Sequence, residues 1–136
     1  MKILIVNGPN LNLLGQRDVQ MYGSRSFDAY FLELKNQFPG VELTCFQSNV
    51  EGELINALQQ STADGIILNA GGYTHTSVAI RDCIDAIAIP VVEVHLSNIA
   101  KRESFRHESM ITPVCAGSIM GFGLRSYELA MQYFVS

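Results

Sequence analysis

The sequence predicts an α/β fold, a doubly wound three-layer sandwich built on a five-stranded parallel sheet. Two observations lead there. Short runs rich in β-branched residues alternate with segments of helical period, which is the pattern of repeated βαβ units. Polar side chains also collect where those runs end, at Asn7, Asn69 and His95, and open parallel sheets hold ligands outside the carboxyl ends of their strands.

The first predicted strand is Lys2–Asn7, an apolar run stopped by Asn7-Gly8-Pro9. A long connection follows, from Gly8 to about Arg25. Loops beyond ~12–15 residues in compact domains are commonly lids or binding loops, and Gly15 and Gly23 are candidate hinges. Ser26 signals a helix start, and Val41–Gln47 reads as the second strand. Ser48 with Glu51 suggests a capped helix carrying Val50, Leu54 and Leu58 on its apolar face. Gly65–Asn69 is the third strand, and Thr76 is placed to open a helix with Ile80, Cys83, Ile84 and Ile87 inward. Val91–His95 and Val114–Ile119 complete the strands, and Leu124, Tyr127, Met131 and Phe134 mark a last helix. There is no internal repeat, low-complexity tract or linker, so residues 1–136 read as a single domain of flavodoxin-like architecture.

Composition narrows the function. Nine Lys and Arg against thirteen Asp and Glu leave a net charge of -4, too acidic for a chain whose main partner is a nucleic acid backbone. Charged residues are only 16%, against about 25% in an average soluble domain, which suggests that part of the surface faces other subunits. Cys45, Cys83 and Cys115 are odd in number and never spaced as C-x-x-C, so they read as reduced thiols rather than as a disulfide or zinc framework. The opening run Ile3-Leu4-Ile5-Val6 is shorter than the ~7–15-residue core of a signal peptide, and no stretch reaches the ~18 apolar residues of a membrane span. The expectation is a cytoplasmic protein.

Arg17, Lys101, Arg102 and Arg106 fall in the loops after strands one and four, where they would form a local positive cavity in an acidic chain. Asn10, Asn69, His75 and Ser97 add short, aimable donors and acceptors, an inventory suited to a polyhydroxylated carboxylic acid. Tyr22 lies five residues from Arg17, and a guanidinium within ~4–6 Å favours a phenolate by roughly one to three units. Such a tyrosine can take a proton next to a carbonyl while His95 protonates a departing hydroxyl, and that pair defines a dehydration. The same residues have plainer readings: Tyr22 as a loop aromatic, Arg17 as a solvated charge, His95 as a structural histidine, Glu93 as an ion-paired strand acid, Asp82 as a helix-surface acid. His75 and His95 have no third ligand at metal spacing, so no metal is expected.

Beyond single residues, whole motifs stand out. Asn7-Gly-Pro-Asn-Leu-Asn-Leu-Leu-Gly15, Arg17 with Tyr22-Gly23, Gln47-Ser-Asn-Val-Glu-Gly52, Asn69-Ala-Gly-Gly-Tyr-Thr-His-Thr-Ser-Val-Ala-Ile-Arg-Asp82, Glu93-Val-His-Leu-Ser-Asn98, Arg102-Glu-Ser-Phe-Arg-His107 and Gly117 through Gly123 follow in order. Together, end to end, the chain resembles type II 3-dehydroquinate dehydratase. The resemblance implies conversion of 3-dehydroquinate to 3-dehydroshikimate, without cofactor or Schiff base, in a dodecamer built from trimers. It implies Tyr22 as proton acceptor, Arg17 as its activating arginine, His95 as proton donor and Asn10 as the residue that settles the enolate. Asn69, His75, Arg106, Leu96 and Ser97 correspond to substrate contacts, the last two at the carboxylate. Glu93 corresponds to an acid that orients the histidines, Arg102 to a lid arginine, and Asp82 to a residue reaching a neighbouring subunit's site. One departure stands in the lid: Asp18-Val19 replaces the family's common Glu-Pro, which frees a backbone angle and makes closure entropically costlier.

Three rivals stand beside this reading, and the first two fit less of the sequence. A lysine Schiff base has only Lys101 near the site, since Lys2 opens a strand and Lys35 lies on a helix. A phosphoacceptor receiver needs acids where this chain has Asn7 and Asn69, and no nucleotide-binding glycine motif follows strand one. A catalytically silent small-anion binding module of the same fold differs from the enzyme only in an assay.

Overall fold

Five strands, β1 (Lys2–Asn7), β2 (Glu42–Gln47), β3 (Gly65–Asn69), β4 (Val91–His95) and β5 (Gly117–Met120), pair in parallel in the order β2-β1-β3-β4-β5. The computed structural model of the chain describes residues 1–16, 19–22 and 24–136, with residues 21 and 22 by backbone alone. Its helices are the single turn α1 (Val19–Tyr22), then α2 (Phe27–Gln37), α3 (Glu51–Gln60), α4 (Val78–Ala86) and α5 (Arg125–Val135).

Strand alternation divides the core in two. Ile3, Ile5, Ile67, Val92 and Val94 point to one face, where Phe27, Tyr30 and Leu34 of α2 and Tyr127, Ala130 and Met131 of α5 cover them. Val6, Ile66, Leu68 and Val91 point to the other, against Leu54 and Leu58 of α3 and Ile80, Cys83 and Ile84 of α4. Strands covered on both sides read as continuous apolar runs, which is why β1, β3 and β4 are plain in the sequence.

The chain leaves β1 towards β2 and returns across it to β3, so the loops after β1 and β3 part at that junction. This switch point is where a doubly wound sheet opens a crevice.

Several local expectations shift by a few residues. Ser26 caps α2 as expected, accepting the Ala29 N–H at 3.2 Å. The cap of α3 is Val50, not Ser48: the Ser48 hydroxyl accepts from Val50 N and donates to Glu53, so the serine pairs two residues beyond the expected Glu51, and Val50 is exposed. Ser77 rather than Thr76 caps α4, because the short 3-10 helix Gly71–His75 occupies the residues before it. The fifth strand begins later than Val114, since Pro113 sits in the 3-10 turn Thr112–Val114 and the ladder starts only where Ala116 N donates to Val91 O. Among the described residues, no helix is long and apolar enough to cross a membrane.

Candidate functional site

A cavity of about 190 Å³ opens at the carboxyl ends of β1, β3 and β4. That is smaller than the roughly 300–1,000 Å³ of drug-sized clefts and suits a single substituted ring. Each strand end contributes a loop whose shape is fixed by its own sequence.

After β1, Gly8 N donates to Asn69 O at 2.7 Å, which draws the first loop against the third. A Cβ at Gly8 would stand 2.6 Å from the Ala70 carbonyl oxygen, so only glycine permits this approach. Pro9, Asn10, Leu11 and Leu14 then line the cavity. Asn10 is the only non-glycine with positive φ (70°) among the described residues. A left-handed asparagine is tolerated where its neighbours hold it, and here the Asn49 side chain accepts the Asn10 N–H at 3.0 Å. Asn49 also receives a hydrogen bond from Gln47, and its carbonyl accepts the Tyr73 hydroxyl.

At the end of β3, Asn69 is buried, with its Oδ1 accepting Gly71 N at 3.2 Å and its Nδ2 donating to the Tyr127 hydroxyl at 3.0 Å. His75 follows on the 3-10 turn, where its Nδ1 donates to the Glu108 carbonyl at 2.8 Å. In the neutral ring that leaves Nε2 as the lone-pair nitrogen. Asn69, Gly71, Gly72 and His75 all line the cavity.

The chemistry concentrates on β4. Glu93 and His95 are two residues apart and so share one face of the strand. His95 Nε2 lies 2.6 Å from Glu93 Oε2, both side chains buried, and Nδ1 is the nitrogen left over. Ser109 donates to the same carboxylate oxygen at 2.6 Å and Thr112 to the other. Burial works to raise the Glu93 carboxyl, but the His95 hydrogen bond and charge, with the two hydroxyls, outweigh it and hold the acid below its ordinary 4.5. Burial, helped by the Glu93 charge, pushes the nearby Cys115 thiol up to about 12.

Beyond His95, Leu96, Ser97, Ile99, Arg102 and Arg106 complete the lining. Lys101 does not join them, against the expectation of a shared basic cluster. It sits in the 3-10 turn Ile99–Lys101, where a three-residue period sends Ile99 and Arg102 inward and leaves Lys101 exposed. Glu103 lies between the two arginines, accepting from Arg106 Nε at 3.1 Å with Arg102 Nε at 3.9 Å. The Arg102 carbonyl accepts His107 Nε2, which ties the arginine's backbone down.

One chain thus brings together Asn10, Asn69, His75, His95, Leu96, Ser97, Arg102 and Arg106, with Glu93 behind His95. Glu93 holds one histidine rather than both, since His75 is fixed by Glu108. Asp82 is exposed on α4 and does not line this chain's cavity. Arg17, Asp18, Gly23 and the Tyr22 side chain lie outside the described residues. Sequence reasoning missed Asn49, Ser109, Thr112 and the hydroxyl of Tyr127. The capping-like Ser48 and the helical period of Tyr127 drew attention to those segments, but for other reasons.

Comparison with known proteins agrees with this geometry. The sequence model of the class II dehydroquinases matches residues 1–135. The chain is 58% identical over 137 residues to the 3-dehydroquinate dehydratase of an Exiguobacterium species, covering 99% of this chain and 94% of that protein. The crystal structure of type II dehydroquinase from Butyrivibrio crossotus superposes with a TM-score of 0.94 at 43% identity, covering 100% of this chain and 98% of the other. The type II dehydroquinase of Propionibacterium acnes gives 0.90 at 36% identity, covering 98% and 94%. With its family's sequence pattern across nearly every residue and its family's fold beneath, this chain belongs to the class II dehydroquinases.

Proposed function

We propose that residues 1–136 form one catalytic domain that dehydrates 3-dehydroquinate to 3-dehydroshikimate in the shikimate route to aromatic amino acids. The observation that carries this reading is the cavity itself: two arginines, two histidines and two asparagines converge on a volume of about 190 Å³ at the switch point, with a buried carboxylate behind one histidine. That set fits a small, hydroxylated ring bearing a carboxylate.

In the proposed elimination, the Tyr22 phenolate, favoured by Arg17, takes the proton alpha to the ketone. The C–H electrons pass into an enolate, whose oxygen is held by Asn10 and an ordered water. The enolate collapses, the β-hydroxyl leaves with a proton from His95, and water and a conjugated enone result. Because Nε2 of His95 is committed to Glu93, Nδ1 is the atom that delivers this proton. Asn69, His75 and Arg106 hold the ring, Leu96 and Ser97 the carboxylate, and Arg102 works with the lid.

Among the described residues no lysine lines the cavity, which favours a route without a Schiff base. The proposed elimination itself calls for no cofactor. We further propose a cytoplasmic homododecamer, a tetramer of trimers. The exposed position of Asp82 suits a residue that serves a neighbouring subunit's cavity. Adding 3-dehydroquinate to chelator-treated protein should produce the ultraviolet absorbance of the enone. Binding without that signal would refute the enzyme and leave a silent anion binder.

A further inference from the structure

A phenylalanine would fill the space of the Tyr127 ring equally well. Tyr127 is fully buried on α5, its ring tilted against Phe27 at 5.1 Å and Tyr30 at 6.2 Å between ring centres. A hydroxyl in such a place is costly unless both its donor and its acceptor capacity are used. Here both are used: Asn69 Nδ2 donates to it at 3.0 Å, and it donates to Asn7 Oδ1 at 2.7 Å. Asn7 and Asn69 are register partners at the ends of β1 and β3, so the phenol bridges the two strands at the switch point.

The direction of this relay is set by the backbone. Gly71 N–H can only donate, and it donates to Asn69 Oδ1. The Asn69 amide therefore turns its nitrogen to Tyr127, Tyr127 accepts, and its one proton goes to Asn7. Burial pushes the phenol well above its ordinary range, though the Asn69 hydrogen bond opposes this, so the proton stays on Tyr127. With Oδ1 turned to Gly71 N–H and one Nδ2 hydrogen on Tyr127, the second Nδ2 hydrogen is the donor that Asn69 keeps for a ligand in the cavity. An asparagine amide rotates within a broad well unless both ends are held.

We propose that Tyr127 is a positioning residue that holds Asn69 as a hydrogen-bond donor, selecting a ligand that presents a hydroxyl or carboxylate oxygen at that point. This rests on the dehydratase reading and adds a residue from outside the cavity to it. Removing the hydroxyl leaves the amide nitrogen unpaired, and the side chain swings away from its aim.

The experiment measures KM and kcat on 3-dehydroquinate, with melting temperature, for the wild type, Tyr127→Phe, Asn69→Ala and the double variant. Tyr127→Phe should raise KM about tenfold with kcat within about twofold, the loss of one hydrogen bond in ground state and transition state alike. In the Asn69→Ala background the same change should leave KM within about a factor of two, because the two residues act as one unit. An equal effect in both backgrounds, or an unchanged KM in Tyr127→Phe, overturns the proposal. Should Tyr127→Phe not fold, Asn7→Ala, which removes the acceptor of the phenol's proton, should raise KM in the same Asn69-dependent way. An unchanged KM there overturns it. A wild type that turns nothing over overturns the dehydratase reading as well; an active wild type with an indifferent Tyr127→Phe overturns only the role of the tyrosine.

Discussion

Glu93→Gln isolates charge from shape at the centre of the site. Glu93 is fully buried and accepts from His95, Ser109 and Thr112. In the amide variant with its oxygen towards His95, the His95 N–H and the Ser109 hydroxyl keep an oxygen to donate to, and the Thr112 hydroxyl can turn to accept from the new NH2. Only the negative charge is lost. A hydrogen bond to a charged group contributes about 1.5–3 kcal/mol against about 0.5–1.5 for a neutral one, so the difference is about 1–1.5 kcal/mol. With each 1.36 kcal/mol worth tenfold, kcat should fall about tenfold, and KM little, since His95 acts on the leaving hydroxyl rather than on binding. A second readout follows from the depressed acid. Its stabilisation is complete above the ordinary 4.5 and is lost as pH falls through the lower folded value. Melting curves of wild type and Glu93→Gln should therefore lie apart at neutral pH and draw together in acid. An unchanged kcat, or a gap in melting temperature that stays constant down to strong acid, would refute the account of Glu93 as an ionised partner of His95.

Tyr22→Phe should lower kcat by at least about 10²–10⁴-fold, the usual worth of a positioned base, while substrate affinity measured by titration stays near the wild-type value; near-normal turnover removes tyrosine from that role. Arg17→Ala should slow the enzyme and move its activity profile to higher pH, and an unshifted profile counts against electrostatic activation of the phenol. Borohydride added with substrate should leave activity intact, whereas trapped product on Lys101 in a peptide digest would establish the Schiff base. Gly8→Ala forces a Cβ to within 2.6 Å of the Ala70 carbonyl and should cost about 1–3 kcal/mol in chemical denaturation, so an unchanged midpoint means the loops after β1 and β3 do not meet as described.

What could be read from the sequence follows from how locally each feature is determined. β1, β3 and β4 are buried on both faces, so their apolar runs are continuous and their ends clear. The expected start of β5 falls three residues early because Val114 and Cys115 look like strand residues, while the turn around Pro113 depends on Ser109, whose hydroxyl accepts from Ile111 and Thr112. Helix caps were displaced for a similar reason. Asn49, one residue after Ser48, accepts the Asn10 N–H from across 39 residues, a contact that the local pattern around Ser48 does not announce.

The site divides along the same line. Glu93 and His95 stand two apart on one strand face, so their pairing was available to anyone counting the period of a strand. That the pairing takes Nε2 of His95 and leaves Nδ1 over is visible only in the fold. So is the polarity of Asn69: it depends on Gly71 two residues away and on Tyr127 fifty-eight residues away. An asparagine at a strand end says only that a hydrogen bond is offered there. Which way the amide faces is set by the Gly71 N–H, and it is held there by a phenol on the last helix, on the far side of the sheet from α3 and α4. Identity of the contact residues is thus a local property of this sequence, and the direction of their hydrogen bonds is a property of the fold.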